Sequence, residues 1–412
     1  MRQCDCGPSL HHGNYRRHAR VTHHFIRYPI VKITSVRTTP LAVPFKETHV
    51  TWTGTYSAKS TLLIEIFTDE GVVGIGEAPG IPLPEINQLI VKEFEPLLVG
   101  ADPFAINLFH QRALDLQSKT GLTAMTWKAY RNIANNALGG IDIALWDIVG
   151  KATGQPLHRM LGGALRDRVD MFAWIHRKDQ REMVEDALEF KRQGFRVYYL
   201  KIGLGRQRDR SDLSALREAL GADALIRGDA NGVWGATQAL QEIRALEDLG
   251  LDWIEQPVTE EDFDGFERVA RLSTVPLCID QGVNTNRLAY DAITRRLADA
   301  ICSDIHRVGG ITALREMAAM AQLANIQVCR HAGPEFGISG LAHLHVMATI
   351  PNAALGNQTY ATTIADDIVN EPTADFAQGT LAVPDRPGIG VTLDADKVAK
   401  YAHMYAQMRR EG

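Results

Sequence analysis

Between Val197 and His331, six short apolar runs each close on an ionisable side chain: VYYLK at Lys201, ALIRGD at Asp229, LDWIE at Glu255, VPLCID at Asp280, DAICSD at Asp304 and IQVCRH at His331. The ends are spaced by 28, 26, 25, 24 and 27 residues. Helical patterns such as DLSALREALG, TQALQEIRALEDLG and TALREMAAMAQLAN fill the intervals, so the segment reads as a βα repeat with a parallel sheet. MFAWIH before the first run and AALGNQ after the last add one strand each. Eight such strands predict an α/β fold, a (β/α)8 TIM-type barrel, in preference to an open sheet. The runs are apolar on both faces, as in a sheet covered on both sides.

In such a barrel the C-terminal strand ends form one rim, and their side chains converge on one cavity. Asp229, Glu255 and Asp280 then point at a common spot from consecutive strands. Three crowded anions need a cation, and hard oxygen donors favour Mg²⁺, with Mn²⁺ as the alternative. A lone carboxylate at a strand end usually caps a helix; three at one relative position read as a metal-ligand set. Lys201 flanks the acids, and a cation beside it is expected to lower its pKa toward that of a base. On the other flank, Asp304 can orient and activate His331.

Outward from the barrel, residues 31–160 read as an α+β unit. VKITSVRTTPLAVPF is a strand broken by proline, and Thr68–Gly71 turns a hairpin. Helices follow from Pro84 to Leu98, from Pro103 to Gln117, and from Thr123 onward. Residues 1–28 carry five arginines, five of the fourteen histidines and one acid, Asp5, and lack an apolar signal core. Cys4, Cys6 and the nearby histidines match no usual zinc spacing. Residues 1–30 are therefore expected to be a disordered leader.

Across all 412 residues, 44 basic and 49 acidic side chains leave a net charge of -5, which excludes a chain-wide polybasic nucleic-acid surface. No apolar run is long enough for a membrane span. Five scattered cysteines suit reduced thiols in a cytoplasm, not a disulfide framework.

These residues, in this order, resemble the enolase superfamily, in its mandelate racemase-like branch. The likeness covers about residues 31–400. It rests on IDIALWDIVGKATGQPLHRMLGG at 141–163, the Asp229–Glu255–Asp280 series, Asp304-x-x-x-x-Gly309-Gly310, His331, and VPDRPGIGVTLD at 383–394. It implies a capping domain of residues 31–160 completed by a tail at 371–412, around a barrel domain at 161–370. It implies a Mg²⁺-dependent enzyme, acting on a small-molecule carboxylate and assembling as a homo-oligomer. The shared partial reaction is removal of the proton α to a carboxylate, giving a metal-stabilised enediolate. The loop FKETHVTWTGT (45–55) corresponds to one that meets the substrate's distal end, making His49, Trp52 and Thr53 candidates.

The Asp304–His331 pair argues against the lactonising and dipeptide-epimerising relatives, which keep a lysine there. GDANGVW around Asp229, with Asn231 a candidate contact, resembles the stretch in glucarate dehydratases. The expected activity is therefore dehydration of an aldonate or aldarate to a 2-keto-3-deoxy acid, a lyase reaction. Lys201 or His331 takes the α-proton, and His331 serves as acid for the departing hydroxyl. Racemisation of a 2-hydroxy acid is the alternative, and non-catalytic binding of a sugar acid is a third.

Two departures bear on this. Tyr199 replaces the first lysine of the usual Lys-x-Lys, supplying a hydrogen bond without charge. Asn357 and Gln358 stand where many relatives place a glutamate. Several other signals read as structural: Gly309-Gly310 as a tight turn, Gly74-x-Gly76 as part of a hairpin, and His343 and His345 as helix residues. Arg330 faces either a distal carboxylate or an outward ion pair.

Overall fold

The computed structural model describes residues 31–51, 54–79, 83–120, 133–332, 335–359, 361, 363–371 and 376–411. The chain begins with an antiparallel sheet of β1 (Ile33–Thr51), β2 (Gly54–Thr68) and β3 (Val73–Pro79). Three helices follow: α1 (Pro84–Leu98), α2 (Ile106–Thr120) and α3 (Ile133–Thr153). The expected break at proline in the first strand does not occur. Pro40 pairs with Leu62 and Pro44 with Ala58 within β1. Because β1 is an edge strand, a residue lacking an N–H can sit on its unpaired side.

Gly74-x-Gly76 has a packing role. A Cβ on Gly74 would run into the Ala144 carbonyl oxygen, and one on Gly76 into that of Gly140. Glycine at these positions lets β3 lie directly on α3.

A short α4 (Leu157–Met160) and β4 (Arg168–Asp170) lead into the barrel. Its strands and helices alternate: β5 (Phe172–Ile175), α5 (Gln180–Arg192), β6 (Val197–Lys201), α6 (Arg206–Leu220), β7 (Leu225–Asp229) and α7 (Ala236–Arg244). Then come β8 (Trp253–Glu255), α8 (Phe263–Leu272), β9 (Leu277–Ile279), α9 (Asn286–Thr294) and β10 (Ala300–Ser303). The repeat closes with α10 (Ile305–Val308), α11 (Ile311–Leu323), β11 (Gln327–Arg330) and α12 (Gly337–Thr349). Helix starts follow local chemistry: the side chains of Asp179, Asp262 and Thr285 each accept a first-turn N–H.

Strands β5 to β11 form one parallel seven-stranded sheet in sequence order. The expected eighth strand, AALGNQ, is a run of bridges that spans the seam. Ala353 pairs with Val328 on one side, and Asn357 pairs with Met171 on the other. Arg227, buried inside the barrel, lies 3.4 Å over the Trp253 ring and donates to the Leu355 and Gly356 carbonyls. It thereby ties the seam to the interior.

The last elements are β12 (Phe376–Ala377), which pairs with β13 (Thr380–Ala382), itself paired with β4, and α13 (Ala395–Glu411), which packs on β1. Among the described residues, no helix is long and apolar enough to cross a membrane.

Three fully buried acids of the N-terminal part bind backbone N–H groups far along the chain. Glu77 accepts from Phe336 (2.7 Å) and Ser339 (3.1 Å) at the start of α12. Asp142 accepts from Ile311 (2.7 Å) at the start of α11, and Asp147 from Ile389 (3.0 Å). A helix N-terminus has N–H groups with no partner inside the helix, and Glu77 and Asp142 accept from them here.

Candidate active site

The period of two along a strand sets the site. Lys201, Asp229 and Glu255 are register partners on β6, β7 and β8, and Asp280 follows β9. Asp229, Glu255 and Asp280 are 1%, 3% and 1% exposed, whereas the side chains of Lys201 and His331 are 38% and 19% exposed. The acids are therefore enclosed, and the two candidate bases remain reachable from the mouth.

Tyr199 shares the face of Lys201, as its parity predicts, and its hydroxyl donates to Asp229 and to Glu255 (3.2 Å). Lys201 Nζ pairs with Asp229 and donates to Asn231 Oδ1 (2.7 Å). Asn231 returns a backbone N–H to Asp229 Oδ1 (2.7 Å) and a side-chain N–H to Oδ2 (3.1 Å). It adopts φ 48°, a left-handed conformation that asparagine tolerates better than most residues.

Burial raises the Glu255 carboxyl well above its usual range, and the charges of Asp229 and Asp280 add to the rise. Burial opposes the charged form of Lys201, but Asp229 and Glu255 outweigh it and raise its pKa. The expected fall is thus reversed wherever those acids face the lysine alone.

On the other flank, Asp304 caps α10 and also holds His331. Its Oδ1 accepts the His306 and Arg307 N–H groups at 2.8 Å each, and its Oδ2 lies 2.7 Å from His331 Nδ1. Burial resists its ionisation, yet His331, Arg307 and His306 hold the carboxyl well below the usual range. Burial and Arg307 together push the His331 imidazole down.

Arg307 was not anticipated from the sequence. Its guanidinium pairs with Asp280 and lies 2.9 Å from His331 Nε2 through Nη2. Arginine only donates, so Nε2 must offer its lone pair and Nδ1 must carry the proton toward Asp304. The signal lay within Asp304-x-x-x-x-Gly309-Gly310, where residue i+3 of a helix returns to its cap. Gln256 was also missed. Buried at φ 39°, it accepts the Asp280 N–H (2.9 Å) and so fixes the start of that loop.

Other candidates lie elsewhere. Asn357 donates to the Asp170 and Ala354 carbonyls and accepts from the Arg330 N–H, so its amide holds the barrel seam. Gln358 Oε1 accepts the Ala332 N–H (3.1 Å), bracing the loop after His331. Arg330 is buried and paired with Glu335. His343 accepts the Ile305 N–H at Nε2, and His345 stacks on His158; both join structural elements. His49 lies in β1, but its side chain, like Trp52 and Thr53, is outside the described residues.

The donors suit a hard divalent cation. They are three enclosed carboxylates whose mutual charge disfavours ionisation of the middle one.

Residues 32–162 match the family model for the mandelate racemase / muconate lactonizing enzyme N-terminal domain, and residues 182–397 match that for the enolase C-terminal domain-like fold. The chain belongs to the enolase superfamily. Within the superfamily it is 26% identical over 373 residues to the N-succinyl-L-Arg/Lys racemase of Bacillus cereus, covering 89% of this chain and 96% of that one. It is 29% identical over 334 residues to the arabinonate dehydratase of Saccharolobus solfataricus, covering 80% and 87%. Among solved enolase-superfamily structures, the muconate lactonizing enzyme of Pseudomonas fluorescens superposes with a TM-score of 0.81 at 27% identity, covering 90% of this chain and 99% of that one. Superfamily members with racemase, dehydratase and lactonizing names thus resemble this chain to a similar degree.

Proposed function

We propose that this enolase-superfamily chain is a divalent-cation-dependent dehydratase of a sugar acid, an aldonate or aldarate. The observation that carries this reading is the Asp304–His331 pair at the edge of the enclosed acids, with Lys201 on their other flank. The dehydratase among the relatives supports it.

Asp229, Glu255 and Asp280 would hold the cation, which when bound offsets negative charge developing on the substrate carboxylate. His331 takes the proton from the carbon beside the carboxylate at Nε2, once Arg307 Nη2 gives up its hydrogen bond to that nitrogen's lone pair. Asp304 steadies the imidazolium so formed. His331 then returns the proton to the departing β-hydroxyl, which leaves as water, and the enol rearranges to a 2-keto-3-deoxy acid. Lys201 is the second candidate base, and it can serve once other charge offsets its hold on Asp229. Tyr199 and Asn231 orient Lys201 and Asp229. Residues 31–160 with 371–412 would cap the mouth, and the 45–55 segment, which is strand up to Thr51 and from Gly54 instead of the expected loop, would meet the substrate's distal end.

The test is a panel of acid sugars incubated with the chain and Mg²⁺ in D₂O. A keto product that reacts with semicarbazide supports dehydration. Exchange of the α-proton with no keto product would instead establish a racemase or epimerase. Saturable binding without exchange or product would leave only a binding protein.

A further inference from the structure

The rim carries a second repeat that the proposed reaction does not use. Cys278, Cys302 and Cys329 stand two residues before Asp280, Asp304 and His331, giving Cys-x-Asp, Cys-x-Asp and Cys-x-His on three neighbouring strands. Residues two apart on a strand share a face, so each thiol points inward, one layer below the rim. The thiols are free, and their residues are 0%, 3% and 3% exposed. They pack in one cluster with Trp253, Ala300 and Ala354, and Cys302 is the register partner of Cys329. Scattered along the sequence, these three are clustered in space. Cys302 Sγ, one carboxylate oxygen of Glu255 and one of Asp280 all lie within 4.8 Å of each other.

We propose that this thiol layer, with Glu255 and Asp280 above it, is a binding site for a soft divalent cation such as Zn²⁺ or Cd²⁺, and that its occupation excludes the hard cation from the acids. Thiolate sulfur selects soft ions, whereas a site of carboxylates alone does not. Cys302 is the central ligand, because its sulfur lies within 4.8 Å of an oxygen of each acid and its strand lies between those of Cys278 and Cys329. Each thiol that ligates releases its S–H proton to solvent, and no oxidation is involved. Glu255 and Asp280 cannot serve ions at both levels at once, so the two cations compete. Only this exclusion rests on the dehydratase reading; the thiol site stands independently.

The experiment uses the full chain carrying Cys4→Ser and Cys6→Ser, so that the three buried thiols are the only ones present. Cadmium is titrated in, and the ultraviolet thiolate-to-cadmium charge-transfer absorption is followed. The band is expected to saturate at a single equivalent and to be lost in Cys302→Ala. Saturating Mg²⁺ is expected to weaken cadmium binding by about tenfold or more. A band that never develops, or that persists undiminished in Cys302→Ala, overturns the site. Should that variant fail to fold, cadmium NMR on the parent chain decides: a sulfur-ligated shift supports the site, and an oxygen-only shift overturns it. Magnesium that binds by calorimetry yet leaves cadmium affinity unchanged overturns the exclusion. A cadmium band with no magnesium binding supports the thiol site and overturns the dehydratase reading.

Discussion

Asp304 holds His331 through one carboxylate oxygen and the start of α10 through the other, with all three contacts between 2.7 and 2.8 Å. The imidazole is thus oriented by a group that the helix itself keeps in place. Asp304→Asn preserves a good helix cap but can offer His331 an N–H in place of an acceptor, favouring the wrong tautomer. Keto-acid formation is expected to fall by about 10²–10⁴-fold, the usual worth of a positioned acid–base group, with little change in melting temperature.

Arg307 lowers the pKa of His331 and shares its Nε2. Arg307→Met removes that positive charge, so the imidazole pKa is expected to rise. The acid limb of the kcat/KM profile should then move to higher pH. NMR titration of His331 checks the direction independently of turnover, and an unmoved or lower value would contradict the assignment.

Asp229→Asn retains the shape of the site while removing one anion from the proposed ligand set. Magnesium affinity measured by calorimetry should drop by about tenfold or more, on the scale of losses seen when metal-site groups are altered. Undiminished affinity would mean that Asp229 serves only Lys201 and Tyr199.

Burial pushes the Glu77 carboxyl up to about 7 from 4.5, against hydrogen bonds from Phe336 and Ser339. Between those values the folded chain keeps a proton that the unfolded chain has lost. This residue's contribution to stability therefore declines as pH rises through that window, by roughly 3 kcal/mol in total. Urea midpoints of the native chain minus those of Glu77→Gln should fall from about pH 5 to pH 7 and then level off. A difference that stays flat would remove the claim.

Gly76→Ala would force a methyl group into the Gly140 carbonyl oxygen, with backbone on both sides of the clash. A loss of about 1–3 kcal/mol is expected from such overpacking, read as a lower urea midpoint. Gly71→Ala is a useful comparison: a Cβ there meets nothing within 4 Å, and its cost comes from φ 76° alone.

Much of this architecture was legible because strands buried on both faces leave contiguous apolar runs, and the rim chemistry falls at their ends. Lys201, Asp229, Glu255, Asp280, Asp304 and His331 could all be found by that rule. Arg307 fell outside it, since an arginine in the first turn of a short helix looks like any solvated one unless its i+3 return to the Asp304 cap is weighed. Asn357 misled for the opposite reason. An amide at the end of an expected strand resembles a substrate contact, whereas the missing ladder at the seam needs its donors and acceptor. The proline in β1 was over-read because nothing local marks a strand as an edge. The thiols escaped notice because 24 and 27 residues separate them along the chain.

Glu77, Asp142 and Asp147 each join the N-terminal part of the chain to backbone formed much later, at Phe336, Ile311 and Ile389. During synthesis those carboxylates have only their nearer partners until the ribosome has delivered residues 311 to 389. Chains truncated before Ile389 would leave Asp147 short of one donor, and they should be easier prey for proteases than their length suggests.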